Sequence, residues 1–481
     1  MFITEHLYQV TLDGRDKQQI IILPMCESER RSRSGCYIKT YGCQMNEYDS
    51  EKVMASLAET HYPVAEIEDA DVVIINTCSV REKAEHKLFS LLGTLKAAKE
   101  NNPNLVVGVG GCVAQQEGQA ILRKSPVVDF VYGTHNISLV PSLVSRALHS
   151  PHPQVAVDYR EEWEDLPDEF VPLVRPGEER TLPLRALIAI QRGCNKNCAF
   201  CVVPTTRGPE VSRSAEEILR EIRIKVSSGS REIMLLGQTV NSYGKDLSPR
   251  VRFEDLIKRV SDIPGVERIR FTSPHPQDVR KEFVDLFDSV PQLCPHIHLP
   301  LQSGSNRILK LMNRNYSRER YLEIIGLLQE RRPDIAISTD IIVGFPGETD
   351  IDFQDTLQMV EDVKFHMSYA FMYSPRPNTV SKATMREEQV PSDISSARLQ
   401  ILQGVQDRLC KEQNEAWLDK EVEVLLEDQG RHSSGALRGR TRHNVLAEIS
   451  GEGMKIGDTV RARVSFAGPY GIRGELVENS G

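Results

Sequence analysis

Three cysteines crowd one short stretch, Arg192-Gly193-Cys194-Asn195-Lys196-Asn197-Cys198-Ala199-Phe200-Cys201. The spacing is C-x3-C-x2-C, with no histidine interleaved. Thiolates this close can face one metal centre. A structural zinc site is closed by four ligands, and no fourth lies in the neighbourhood. A cubane iron–sulfur cluster is held at its iron corners by Cys thiolates. Three cysteines would leave one iron open to bind something else. A zinc knuckle and a disulfide with a spare thiol are the competing readings.

A second set of cysteines is spread along residues 35 to 150. Cys43, Cys78 and Cys112 each follow an apolar, β-rich run: Cys36–Tyr41, Asp71–Thr77 and Leu105–Gly111. Helical patterns separate the runs, at Glu47–Glu59, Val80–Glu100 and Val113–Lys124. A fourth strand, Asp129–Tyr132, leads to a helix near Leu139–Leu148. Strand–helix alternation implies a doubly wound parallel sheet. Ligands bind outside the carboxyl ends of such strands. All three cysteines sit at that end, so they can converge on one point although distant in sequence. Three at equivalent positions suggest a second three-thiolate cluster, against a reading as buried structural thiols. Cys36 begins its strand at the opposite edge and is excluded. Cys26, in a polar extension over residues 1–34 with one strand at Gln19–Leu23, is a bystander.

The first three cysteines are positioned by a longer alternation, over residues 181–412. The run Ala186–Ile190 delivers the Cys194 loop. Further strands are expected at Glu232–Gly237, Arg268–Thr272, His296–Leu301, Ala336–Phe345 and Met367–Tyr373. A long last helix is expected from about Ser392 to Trp417. Six such strands suit an open, partial TIM-type (β/α)6 barrel with its chemistry at the strands' carboxyl ends. Polar and glycine residues lie at those ends, among them Gly237, Gln238, Ser273, Asp340 and Gly344. His275, His296 and His298 fit orienting or packing roles better than a metal site. Residues 151–180 are rich in proline and acid and read as a solvated linker. Residues 413–481 show five short alternating strands with glycine turns, a small all-β, OB-like barrel. Arg431, His432, Arg438, Arg440, Arg442 and His443 form a stretch there without acid. It reads as a solvated face or as a phosphate-binding face for RNA.

The 481-residue chain is long enough for two to four domains and has a net charge of -9. It therefore carries no global attraction for nucleic acid, and RNA binding would need a local basic patch. No apolar run approaches the roughly 18 residues of a membrane span, and the start lacks a signal-peptide layout. A cytoplasmic location follows as the expectation, where the ten cysteines should be reduced thiols.

Taken together, the two three-cysteine sets, the partial barrel and the small β-barrel resemble the methylthiotransferases of the radical S-adenosylmethionine (SAM) superfamily. Phe200 just before the last Cys belongs to that pattern. So do Thr40-Tyr-Gly-Cys-Gln-Met-Asn46, Asn76-Thr77-Cys78, Gly110-Gly111-Cys112, Leu235-Leu-Gly-Gln238, Val240-Asn-Ser-Tyr243 and His298-Leu-Pro-Leu-Gln-Ser-Gly304. Gly439-Arg-Thr441 with Asn444-Val445 makes the C-terminal barrel look like a TRAM domain. Thr239, Pro274 and Asn378 depart from the pattern, and none is a cysteine. The form of the Cys43 motif looks most like the branch that makes 2-methylthioadenosine in tRNA.

The resemblance implies two [4Fe-4S] clusters, one on Cys194, Cys198 and Cys201 that binds SAM, one auxiliary on Cys43, Cys78 and Cys112. It implies SAM contacts from Phe200, Gly237, Gln238, Ser273, Asp340, Val343 and Gly344, and RNA contacts from Arg438, Arg440 and Arg442. A flavodoxin or ferredoxin would supply an electron, and SAM would yield a 5′-deoxyadenosyl radical. That radical would remove hydrogen from C2 of N6-isopentenyladenosine next to the anticodon. A second SAM would methylate sulfur held at the auxiliary cluster. The protein positions such a cofactor while the cofactor carries the hard chemistry. The base must leave the anticodon-loop stack. Threonylcarbamoyl-adenosine in tRNA or a ribosomal-protein aspartate are the alternative substrates. A non-catalytic iron–sulfur RNA-binding protein is the alternative class.

Overall fold

The computed structural model describes residues 33–79, 82–164, 166–168, 171, 184–430 and 435–477. The expected strand Gln19–Leu23, Cys26, Arg431, His432 and the whole stretch from 172 to 183 lie outside them.

The N-terminal part is a parallel sheet of β1 (Ser34–Tyr41), β2 (His61–Pro63), β3 (Val72–Thr77), β4 (Val106–Gly110), β5 (Phe130–Tyr132) and β6 (Gln154–Ala156), in the order β2-β1-β3-β4-β5-β6. β3 is buried along its whole length, as its unbroken apolar run requires of a strand covered on both faces. Helices Gln44–Leu57 and Val140–His149 cover one face with Val53, Met54, Leu143 and Val144. Helix Glu82–Asn101 covers the other with Leu88, Leu92 and Leu95. The sequence pattern did not reveal β2 and β6, because three residues are too few for alternation to register.

β6 also corrects the reading of the start of residues 151–180 as a solvated linker. Gln154 pairs with Phe130. Downstream, the Trp163 ring lies under the guanidinium groups of Arg192 and Arg213. Glu164 is buried and accepts from Ser138 Oγ at 2.9 Å. Proline and acid content marked an irregular backbone correctly. It could not show that Glu164 is held by the N-terminal part and the tryptophan by arginines of the central part.

The central part carries β7 (Arg185–Ala189), a short hairpin of β8 (Gln191–Arg192) and β9 (Val211–Ser212), then β10 (Glu232–Leu236), β11 (Arg268–Phe271), β12 (His296–His298), β13 (Ala336–Val343) and β14 (Met367–Met372). Six of these form two parallel sheets, β11-β10-β7 and β12-β13-β14, joined by a bridge between Ile269 and Leu293. This is the open barrel expected from the alternation. Ile188, Ile190, Ile233 and Leu235 pack outward against Ile218, Leu219 and Ile222 of the amphipathic helix Ala215–Ser227. Leu187, Ala189, Met234 and Leu236 point the other way and receive Met45 and Tyr48 from helix Gln44–Leu57. The N-terminal part thus covers the inner face of one side of the barrel.

That contact surrounds a buried charge cluster. Glu221 is fully buried and lies 3.0 Å from Lys52 and 3.7 Å from Lys225, and it also pairs with Arg213. Tyr48 donates to it at 3.3 Å. Burial alone would raise the Glu221 carboxyl; Lys52, Arg213 and Lys225 overcome that and hold it at about 2. Truncating one member of a buried ion cluster leaves uncompensated charge, at a cost of about 3–5 kcal/mol. Glu221→Ala is therefore expected to lower stability by that amount, read as a drop in unfolding midpoint. The folded carboxyl lies below the roughly 4.3 of an unfolded chain. Its contribution is therefore present above that pH and is lost as pH falls toward 2. The Glu221→Ala variant should lack this acid limb, which a pH series of unfolding midpoints checks.

The C-terminal part is a closed five-stranded barrel of β15 (Glu421–Gln429), β16 (Leu437–Thr441), β17 (Leu446–Ser450), β18 (Thr459–Gly468) and β19 (Gly471–Leu476), in the order β15-β16-β17-β19-β18. It docks on the amino-terminal halves of β7, β10 and β11. Arg268 donates to the Arg440 carbonyl at 2.9 Å, and Arg270 to the Thr441 carbonyl at 2.8 Å. Glu232 holds Arg185 and Arg270, and Arg185 reaches Glu427 at 2.9 Å.

Candidate cluster and cofactor site

The Cys194 loop leaves β7 through Gly193. Its φ is +74°, and a Cβ there would lie 1.9 Å from the Pro209 carbonyl oxygen. Glycine is therefore required for this turn. The loop is pinned at several amides. Cys194 N–H donates to Gly208 O at 3.0 Å, Ala199 N–H to Met312 O at 2.9 Å, and Cys201 N–H to Cys198 O at 3.1 Å. The three thiols are partly exposed. Burial pushes Cys201 up to about 12, and the neighbouring Cys198 adds to the rise. Burial also raises Cys194, against a hydrogen bond from Thr239, whose Oγ1 lies 3.4 Å from Cys194 Sγ. Arg314 donates to Cys198 Sγ at 3.3 Å and lies over the Tyr316 ring. Thr239 and Arg314 were missed in the sequence. Thr239 had been noted only as a departure from a pattern, and Arg314 lies more than a hundred positions away.

The second set converges as well. Cys78 is hydrogen-bonded to both Cys43 and Cys112. Cys43 caps the amino end of helix Gln44–Leu57, and Cys112 opens helix Cys112–Glu117. Helix amino ends favour thiolate. The hydrogen bond with Cys78, followed by the Arg207 charge, holds Cys43 near 7 and Cys112 near 6 against burial. Cys78, sandwiched between them, is raised. The polar residues of the two flanking motifs form the scaffold. Cys43 Sγ lies 3.4 Å from Asn46 Oδ1, Asn46 Nδ2 donates to Asn76 Oδ1 at 3.1 Å, and Asn76 Nδ2 donates to Ser50 Oγ at 3.0 Å. Gly111 has φ +89°, and a Cβ there would meet Asn76 Oδ1 at 2.2 Å. Cys36 is buried, pushed up to about 12 by burial, and takes no part.

Among the described residues no group of three or more His, Cys, Asp or Glu side chains is arranged to hold a single metal ion. Both thiol trios nevertheless suit a cluster, whose irons spread its ligands more widely than one ion does. Each trio supplies three sulfur donors and no fourth ligand.

Near the Cys194 loop, Gln238 Oε1 is buried without a hydrogen-bond partner in the protein. It follows Gly237, one residue past β10. Phe200 packs edge-on against Phe345. Ser273, at the end of β11, has φ +54°, an uncommon backbone for serine. Asp340 is held by His298 Nε2 at 3.2 Å.

Two expected cofactor residues are instead engaged internally. Val343 is buried in the core, and its carbonyl accepts from Tyr373 N–H at 2.9 Å. Gly344 N–H donates to Glu348 Oε1 at 3.0 Å, and a Cβ there would collide with Ser395. Its φ of +70° serves the turn itself. The three arginines of the basic stretch also differ from expectation. Arg438 is paired with Asp428, Arg440 with Glu427 at 3.7 Å, and Arg442 donates to the Pro291 carbonyl. They do not form a free basic face. Two of them pair with acids on the neighbouring strand β15 of the same barrel, which hydrogen-bonds to their own strand β16.

Comparison with known proteins bears on this geometry. Residues 188–360 match the model of the radical SAM superfamily, and residues 35–133 match uncharacterized protein family UPF0004. The tRNA-2-methylthio-N(6)-dimethylallyladenosine synthase of Clostridium tetani (strain Massachusetts / E88) is 42% identical over 459 residues, covering 95% of this chain and 99% of the relative. The enzyme of that name from Thermoanaerobacter sp. (strain X514) is 41% identical, covering 98% of each chain. The chain belongs to this family of synthases. It is thus a radical SAM enzyme, for which a [4Fe-4S] cluster and SAM are the family's cofactors. The solved structure of the radical SAM methyltransferase TsrM from Kitasatospora setae shares the fold with a TM-score of 0.53 and 12% identity, covering 74% of this chain and 78% of that one. Within the synthase family's frame, the Cys194 loop stands at the carboxyl end of the first barrel strand. The Cys43, Cys78 and Cys112 trio stands at the carboxyl ends of the first three major strands of its own sheet. No helix among the described residues is long and apolar enough to cross a membrane.

Proposed function

We propose that the chain adds a methylthio group to C2 of N6-isopentenyladenosine next to the anticodon in tRNA, consuming two SAM. The observation that carries this reading is the pairing of two three-thiol sites through one segment, residues 203–208, whose Gly208 carbonyl accepts from Cys194 N–H and whose Arg207 interacts with Cys112. Cys194, Cys198 and Cys201 would hold the SAM-binding [4Fe-4S] cluster, and Cys43, Cys78 and Cys112 the auxiliary one that carries sulfur. When bound and reduced by a flavodoxin or ferredoxin, the first cluster and SAM supply the radical that removes hydrogen from an unactivated carbon.

The chain's own residues bind and orient. Gln238 offers an unpartnered acceptor beside the loop. Arg314 places a permanent positive charge on Cys198, offsetting thiolate charge where SAM would dock. The covered inner face of β7 and β10 keeps water from one side. An unpaired anticodon loop makes extrusion of the base inexpensive.

The test is a side-by-side assay with prenylated tRNA, threonylcarbamoylated tRNA and ribosomal protein, read by mass spectrometry of nucleosides and peptides. Product is expected on prenylated tRNA. The same tRNA without the prenyl group should react on the order of 100-fold more slowly or worse, since an apolar pocket built for that group would stay unfilled. Product on either other substrate with none on the first would reassign the substrate and leave the methylthiotransferase chemistry standing.

A further inference from the structure

We propose that Arg207 is a positioning residue that locks the two cysteine sites into one rigid unit and sets the charge beside the Cys43, Cys78 and Cys112 centre. The inference rests on reading that trio as cluster ligands. Its basis is the segment just after Cys201. Helix Val203–Arg207 begins two residues past that cysteine. Its last three carbonyls each accept from a side chain of the first 160 residues. Thr205 O accepts from Tyr159 OH, Thr206 O from Thr134 Oγ1 at 2.7 Å, and Arg207 O from His135 Nε2 at 3.0 Å. The next carbonyl, Gly208 O, accepts from Cys194 N–H. One unbroken run of backbone therefore connects the Cys194 loop to the N-terminal sheet.

The side chain completes the link. Arg207 is buried and donates to Asp49 Oδ2 at 2.6 Å. It is also within hydrogen-bonding reach of Cys112 and faces Cys43. A buried charge is costly, and docking alone would be served as well by an apolar pair. The Tyr48, Lys52 and Glu221 cluster already joins the two parts. A fixed guanidinium against two thiols has a further use, since it cannot lose its proton. It offsets the negative charge of thiolate ligands and makes reduction of the centre they hold easier. Asp49 aims the guanidinium and keeps it off the solvent side.

The experiment uses full-length, anaerobically reconstituted protein. Wild type, Arg207→Gln, Arg207→Lys and Cys112→Ala are compared for iron and sulfide per chain. The midpoint potential of each cluster is taken by paramagnetic resonance during redox titration. Arg207→Gln should keep both clusters and move only the auxiliary potential downward, by at least tenfold in the reduction equilibrium, about 59 mV for one electron. Arg207→Lys, which keeps the charge, should recover most of that shift. An unmoved auxiliary potential in Arg207→Gln, with two clusters in wild type, overturns this inference alone. One cluster in wild type, or two in Cys112→Ala, overturns the ligand reading and this inference with it. If Arg207→Gln loses the second cluster outright, Arg207→Lys decides: restored iron supports the inference, and unrestored iron reduces Arg207 to a packing residue and overturns it.

Discussion

Replacing Cys194, Cys198 and Cys201 together by alanine is expected to abolish 5′-deoxyadenosine formation and to remove about half of the bound iron, four of eight atoms if each centre is a cubane. The effect should be complete because none of the groups hydrogen-bonded to these sulfurs can replace a thiolate. Among the described residues, those groups include the Thr239 hydroxyl, the Lys196 backbone amide and the Arg314 guanidinium. A hydroxyl is a poor iron ligand, and an amide N–H and a guanidinium are none. The backbone should survive the change. The loop is held by amide bonds to Gly208, Met312 and Cys198, which alanine keeps. The three thiols are partly exposed, so their truncation opens no sealed cavity. Loss of cleavage should thus come with a near-normal unfolding midpoint. Full iron and continued cleavage in the triple variant would mean that the loop is not the catalytic site.

How much of this was legible beforehand follows from where each signal lives. The six barrel strands and five C-terminal strands were legible because apolar runs recur between helical patterns or between glycine turns, which places even the short β11 and β12. Both cysteine trios were legible because their spacing, or their recurrence after successive strands, is a one-dimensional fact. What failed were judgements that needed to know which strand or helix the fold brings alongside a residue. Arg438, Arg440 and Arg442 read as a free basic face, yet Glu427, Asp428 and the Pro291 carbonyl engage them. Glu164 and Trp163 read as linker and are interface. Gly344 read as an opening for a ligand, and its space is taken by Ser395. Arg207 and Arg314 carried no local signal at all. Their meaning comes from touching cysteines that are 95 and 116 positions away. Long-range contacts of single polar side chains have no period to detect.

Cys43→Ala should separate the two halves of the chemistry. SAM cleavage at the Cys194 centre is expected to continue, while methylthio product falls below detection. Cys43 is the most exposed member of its trio and the end member of its hydrogen-bonded chain. Its removal leaves Cys78 and Cys112 with each other and with Arg207, so the N-terminal sheet stays folded. Two thiols cannot hold a cubane that three hold with one corner open. The Cys194 loop makes its own contacts to Gly208 and Met312 and does not touch Cys43. Its cluster should therefore be retained. Cys36→Ala supplies the control. Cys36 is equally close in sequence but is buried at the far end of the same strand, and burial keeps it protonated. It should retain full iron and full product, with only a modest loss of stability from the smaller side chain. The measurement is 5′-deoxyadenosine and methylthiolated nucleoside quantified from one reaction. A Cys43→Ala enzyme that still forms methylthiolated product would make the second trio structural and move the sulfur elsewhere in the chain.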